Sequence, residues 1–192
     1  MSTVGILLAA GRGRRFDPSG VQNKLLQPLA EGPHAGQAVV AAAASNLLAA
    51  LPRVIAVVRP DDTQVARLLG ALGCEVRVCM DADTGMAASL TCAIDYARGA
   101  PGWLIALGDM PYVAPATIAA LSGAIGDGAH IAVPVFQGRR GNPVAFSAFH
   151  LPLLLALDGD QGARAIVHSH VAREVAVTDN GVLRDIDTPD DL

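Results

Sequence analysis

Leu7-Leu8-Ala9-Ala10-Gly11-Arg12-Gly13-Arg14-Arg15-Phe16 ends the apolar run Val4–Leu8 and turns at once into small and basic residues. The run predicts a buried strand. The glycines predict a loop whose backbone can approach a ligand closely. Arg12, Arg14 and Arg15, with Lys24 in the following Asn23-Lys24-Leu25-Leu26, concentrate positive charge beyond that strand. Small residues and cations in one loop suit a polyphosphate. Two better-known phosphate motifs do not fit. GxxxxGK[ST] is absent, and the third glycine of GxGxxG is replaced by Phe16. Asp17-Pro18-Ser19-Gly20 also prolongs the loop where a dinucleotide-binding helix should begin.

Beyond this loop, short apolar runs alternate with helix-like segments. Strands are predicted at Arg53–Val58, Glu75–Cys79, Trp103–Leu107 and Ile131–Val135. Helices are predicted at Ala35–Ala50, Asp61–Leu72, Met86–Arg98 and Pro115–Ile125, the last with proline in its first turn. Continuous apolar strands in β-α-β-α order indicate a parallel sheet covered by helices on both faces. The rest is less regular. Pro143–Ser147 reads as a short strand after a Gly-Arg-Arg-Gly turn, and His150–Leu157 and Gln161–His168 read as helical. Arg173–Thr178 and Val182–Ile186 read as a hairpin around Asn180-Gly181. The expectation is one α/β domain over residues 1–192, mostly parallel, with a small antiparallel insertion.

Composition removes several classes. The 192 residues are 52% hydrophobic, 4% aromatic and 17% charged, so the core must be aliphatic and wholesale disorder is excluded. A chain of this length buries roughly 70% of its unfolded surface. The net charge of -4 leaves no global basic field for a nucleic-acid partner. The longest apolar candidate, Ala38–Leu51, is interrupted by Ser45 and Asn46, well short of the ~20 residues a membrane span needs. Met1–Gly13 reads as a first strand and not as a signal peptide. Cys74, Cys79 and Cys92 show no CxxC spacing and cannot close a disulfide framework, so a cytoplasmic setting is expected.

In open α/β sheets, ligands gather beyond the carboxyl ends of the strands. Two acidic segments fall there. Asp109 follows the most apolar strand in Leu107-Gly108-Asp109-Met110-Pro111. Asp185-Ile186-Asp187-Thr188-Pro189 supplies a second carboxylate late in the chain, and pattern alone does not choose between Asp185 and Asp187. Carboxylates of this kind suit Mg²⁺ shared with substrate phosphates. Lys24 is the one lysine among 14 basic residues, a compact point charge where arginine is otherwise used. The five histidines form no HExxH pattern, and no GxSxG elbow anchors a Ser-His-Asp triad.

Together these segments resemble the molybdenum cofactor cytidylyltransferase family, within the wider molybdopterin nucleotidyltransferases. The resemblance spans nearly the whole chain. It rests on Leu8–Phe16, Asn23–Leu26, Gly85-Met86-Ala87-Ala88-Ser89-Leu90, Gly108–Pro111, Gly141-Asn142-Pro143, Gly159-Asp160-Gln161-Gly162-Ala163-Arg164 and Asp185–Pro189. It implies a single-domain, Rossmann-like, three-layer nucleotidyltransferase fold. It also implies transfer of CMP from CTP to the terminal phosphate of molybdopterin, with Mg²⁺ as cofactor and release of pyrophosphate. Nucleotide-binding positions would be Leu8, Ala9, Ala10, Gly11, Arg12, Gly13, Arg14, Lys24, Gly85 and Ser89. Arg15, Lys24 and Asp109 would be catalytic, Asp109 and Asp187 would hold the metal, and Asn142, Asp160, Gln161 and Arg164 would face the acceptor. A molybdenum hydroxylase apoenzyme is an implied partner. Three segments depart from the family pattern: Asp17 stands where glycine is usual, Asn142 where histidine is usual, and Glu31–Gly36 differs from the usual Gly-x-Pro-Leu-Leu. Two alternatives stay open at this level. One keeps the fold but uses GTP, or a sugar or alcohol phosphate acceptor. The other is a non-catalytic carrier of the molybdenum cofactor.

Overall fold

The computed structural model describes residues 3–160 and 162–192. Among them, eight strands form one sheet: β1 (Val4–Leu8), β2 (Val54–Val58), β3 (Glu75–Val78), β4 (Gly102–Leu107), β5 (Ile131–Phe136), β6 (Arg139–Arg140), β7 (Val144–Ser147) and β8 (Arg173–Ala176). The helices are α1 (Val39–Ala50), α2 (Thr63–Leu72), α3 (Met86–Tyr96), α4 (Pro115–Gly126), α5 (Leu151–Leu155) and α6 (Arg164–Ser169). Strands β3, β2, β1 and β4 run parallel, β7 pairs antiparallel with β4, and β5 pairs antiparallel with β7. β8 joins β5 in parallel. The expected α/β sheet with an antiparallel insertion is therefore present.

Alternation along each strand divides the core in two. Leu7, Val54, Ala56, Val58, Leu104 and Ala132 pack on the face that carries α1, α2 and α4. Val4, Ile6, Ile55, Val57, Trp103 and Ile105 pack on the face that carries α3 and α5. Both faces are apolar because each is covered, which is why the central strands read as unbroken apolar runs and not as alternating ones. Helix boundaries follow local chemistry. Asp62 caps α2 by accepting the Val65 N–H, and Gly73, at φ 102°, ends it in a left-handed turn.

Three expectations are corrected. Helix α1 starts at Val39, not Ala35, because Gly36 adopts φ 80° and Pro28 bridges Ala38, so residues 28–38 form a turn instead. The two arginines expected in a turn form β6, which pairs antiparallel with β5, and the turn falls at Gln137-Gly138. The hairpin around Asn180-Gly181 does not form. Residues 180–183 are a 3-10 turn capped by Asp179, and β8 spends its edge on β5. The same Asp179 carboxylate accepts from the Ala114 N–H and the Thr117 hydroxyl, both at 2.8 Å. It thus caps α4 from a distance, and that use pulls residues 179–183 away from a hairpin.

The strand order fixes where a ligand can sit. From β1 the chain steps outward to β2 and β3, then returns to β4 on the other side of β1. The loops after β1 and β4 leave the sheet next to one another, with Leu8 opposite Leu107. That is the switch point at which open parallel sheets form a crevice. Gly108 lets the two loops touch: its N–H donates to the Leu8 carbonyl at 2.9 Å, and a Cβ there would lie 3.0 Å from that oxygen.

Candidate active site

The loop after β1 is pinned at both ends. Ala10 and Phe16 are buried, Phe16 against Leu29, Val39, Ala42 and Ile186. Between them Gly11–Arg15 stay accessible. The continuation is ordered by Asp17, whose carboxylate accepts from the Ser19 N–H and hydroxyl and from the Gln22 N–H. Those donors, the Ser19 hydroxyl first, hold its pKa down to about 2. Asn23 then caps the short 3-10 turn Lys24–Leu26 through the Leu25 N–H and donates to Asp62 at 2.8 Å. The turn buries Leu25 and aims the Lys24 side chain into the crevice.

A cleft of about 600 Å³ opens at the switch point. Leu8, Ala10, Gly11, Arg12, Gly13, Arg14, Arg15, Lys24, Gly85, Ser89, Asp109, Asp160 and Asp187 all line it. Residues widely separated in sequence are thus brought to one mouth. Ala9 is not among them: it is buried in the core and its N–H donates to the Val57 carbonyl at 2.9 Å. Asn142 lies instead by a small, mainly apolar cavity beside Asn46, Met110 and Pro143. Arg164 is exposed at the start of α6 and does not line the cleft. Gln161 falls outside the described residues.

At the floor, Lys24 joins three chain segments. Its ammonium donates to Asp109 Oδ2 at 2.6 Å and to the Ile186 carbonyl at 2.9 Å, and lies 3.5 Å from Asp187 Oδ1. Asp187 Oδ2 in turn takes Arg15 Nη1 at 2.5 Å. The Ile186 N–H donates to the Asp109 carbonyl at 2.8 Å, which locks the late acidic segment beside the loop after β4. Asp187, not Asp185, therefore meets the cleft. Asp185 does not line it; partial burial first, with Asp187 and Asp109 nearby, pushes its pKa up. Asp109 Oδ1 is buried and has no hydrogen-bond partner. A free lone pair of this kind, beside a second carboxylate, fits a hard divalent cation. Among the described residues no cluster of three or more His, Cys, Asp or Glu side chains could hold a metal alone. Water, or substrate phosphates when present, would complete the coordination.

The opposite wall is the amino end of α3. Ser89 is buried in its first turns and faces the cleft. Gly85, at φ 140°, lies so close to the loop ahead of α6 that a Cβ would stand 2.2 Å from the Gly159 carbonyl. That carbonyl accepts the Ala87 N–H at 3.1 Å. The Gly159–Asp160 segment is thus seated directly on the helix end that forms the cleft wall. Asp83 is a site residue that sequence reasoning missed. Its carboxylate takes Arg12 bidentately, with Nε at 2.8 Å from Oδ1, which raises the Arg12 pKa and lowers its own. The acid two residues ahead of Gly85 was visible, but nothing local said that it faces Arg12.

The sequence matches the MobA-like NTP transferase domain over residues 5–175. It is 32% identical to purine catabolism protein PucB of Bacillus subtilis (strain 168), covering 98% of this chain and 93% of that protein. The crystal structure of Rv0371c from Mycobacterium tuberculosis H37Rv superposes with a TM-score of 0.83 at 32% identity, covering 100% of this chain and 95% of that one. A manganese complex of Rv0371C superposes at 0.80 and 30% identity, with the same coverage. Molybdopterin-guanine dinucleotide biosynthesis protein A from Archaeoglobus fulgidus shares the fold at 18% identity and a TM-score of 0.70, covering 98% of this chain and 94% of that one. With the basic loop, the lysine and the paired carboxylates gathered at one switch point, the chain belongs to the MobA-like NTP transferase family and is a nucleotidyltransferase.

Proposed function

We propose that the protein transfers CMP from CTP to the terminal phosphate of molybdopterin and releases pyrophosphate. The observation that carries this reading is the Lys24–Asp109–Asp187 cluster lying directly below the Gly11–Arg15 loop. The nucleophile is an already ionised phosphate oxygen. It forms a bond to the α-phosphorus as the bond to the pyrophosphate oxygen breaks, so no general base is needed. The work of the site is to neutralise crowded anions and to align attack with departure.

The chain's residues divide that work. Backbone N–H groups of Ala10–Gly13 and the side chains of Arg12, Arg14 and Arg15 receive the triphosphate. Lys24 neutralises charge as it develops on the bridging oxygen. Gly85 and Ser89 face the nucleobase and ribose. Asp109 and Asp187 hold Mg²⁺, which supplies charge neutralisation at the phosphate oxygens when bound. Asp160, which lines the cleft, serves the acceptor side with the adjacent Gln161. The manganese complex of Rv0371C supports a divalent cation as cofactor, and the purine catabolism in PucB's name supports a product used in that process. The resemblance of the Gly85–Leu90 and Gly159–Arg164 segments to the cytidine-using branch favours CTP over GTP. A non-catalytic carrier has no use for the paired carboxylates.

The test is incubation of the protein and molybdopterin with CTP or GTP in turn, with pyrophosphate release as readout. CTP is expected to react at least ten-fold faster in kcat/KM. A preference for GTP would overturn the cytidine assignment.

A further inference from the structure

The Lys24 ammonium is already engaged by three oxygens. It donates to Asp109 Oδ2 at 2.6 Å and to the Ile186 carbonyl at 2.9 Å, and it lies in ion-pair contact with Asp187 Oδ1 at 3.5 Å. The side chain is 9% exposed, so these contacts are little screened by water. Lys24 and Arg15 balance Asp109 and Asp187 charge for charge. The same two carboxylates, with the unpartnered Asp109 Oδ1, are the oxygens a divalent cation would use. A divalent cation arriving alone meets an ammonium already bound to its ligands. An arriving triphosphate gives that ammonium another anion to face.

We infer that Lys24 is an internal counter-ion that makes divalent-cation binding conditional on the triphosphate. It holds the carboxylates while the cleft is empty of anions and yields them when the phosphates draw it away. Linkage requires the coupling to be mutual: the cation must strengthen triphosphate binding by the factor by which the triphosphate strengthens cation binding. This inference rests on the assignment of Asp109 and Asp187 as metal carboxylates.

The test measures binding of Mn²⁺, with no turnover, from the free-Mn²⁺ signal in electron paramagnetic resonance. Without nucleotide, Lys24→Gln is expected to bind Mn²⁺ at least ten-fold more tightly than wild type. Lys24→Arg, which keeps the charge, is expected to stay as weak as wild type, and Asp109→Asn in the Lys24→Gln background is expected to lose the gain. Equal Mn²⁺ affinity in Lys24→Gln and wild type would overturn the inference, as would failure of both to bind. If Lys24→Gln does not fold, Lys24→Met takes its place with the same expected gain. In wild type, Mn²⁺ affinity should also rise at least ten-fold with a saturating α,β-methylene CTP analogue, after correction for Mn²⁺ held by free analogue, and no rise overturns the inference. The variant comparison uses no nucleotide, so a protein that prefers GTP would sink the cytidine assignment and leave this inference standing. Transfer from CTP with equal Mn²⁺ affinities would do the reverse.

Discussion

Lys24 shows how one residue can be notable in composition and still owe its role to its neighbours. Its singularity among 14 basic residues is plain in the sequence. Its contacts with Asp109, Ile186 and Asp187 are not, since they join residues 85 and 162 positions apart. Replacing it with alanine should lower kcat/KM for transfer on the order of 10²–10³-fold, the cost of removing one directed stabiliser of transition-state charge. Steady-state rates of pyrophosphate release measure this, and a near-native rate would show the ammonium to be incidental. Asp83 shows the converse. Its pairing with Arg12 depends on where the 3-10 turn Ala82–Thr84 meets the loop after β1, and no spacing rule encodes that.

At the scale of elements, the cleft depends on close backbone approach. The Gly85 backbone adopts φ 140° and faces the Gly159 carbonyl at a distance no Cβ tolerates. Gly85→Ala must either strain that backbone or push the Gly159–Asp160 loop off the end of α3, breaking the Ala87 N–H bond to Gly159. We expect a loss of about 1–3 kcal/mol in stability. Thermal unfolding measures it, together with a raised KM for the acceptor because the displaced loop carries Asp160. Gly85 was legible as a site residue from the segment around it. Its partner was not, because the Gly159 loop is 74 residues away and comes to α3 with α5, which packs against that helix. The failed hairpin at Asn180-Gly181 has a similar cause. The local turn signal is real, but Asp179 is worth more as a distant cap for α4, and β5 offers β8 a longer parallel edge.

For the whole molecule, stability should depend on a buried histidine away from the cleft. His150 follows β7 and is 2% exposed, with Phe146, Phe149, His130 and His170 around it. Burial first, then the neighbouring His170 and His130, lowers its pKa. The unfolded chain therefore takes up this proton at a higher pH than the folded one. Its contribution is complete above the ordinary histidine value of about 6.5 and is lost as pH falls below it. The urea midpoint should drop between pH 7.5 and 5.5, and His150→Phe should flatten that drop. An unchanged slope in the variant would assign the dependence to other groups. No helix among the described residues is long and apolar enough to cross a membrane.

The sequence by itself determined the class of fold and the first loop. Continuous apolar strands in β-α-β-α order leave a covered parallel sheet as the solution, and Gly11–Arg15 mark the strand end where anions are met. It also singled out Lys24 and Asp109, because a lone lysine and an acid after an apolar strand are local facts. Only the tertiary structure brought Asp187 and not Asp185 to the cleft, withdrew Ala9 into the core, placed Asn142 beside a separate cavity and paired Arg12 with Asp83. The physical reason is range. Propensity, caps and periodicity act over a few residues and leave their mark in the chain, whereas the site is made of loops that meet because the strand order reverses beside β1.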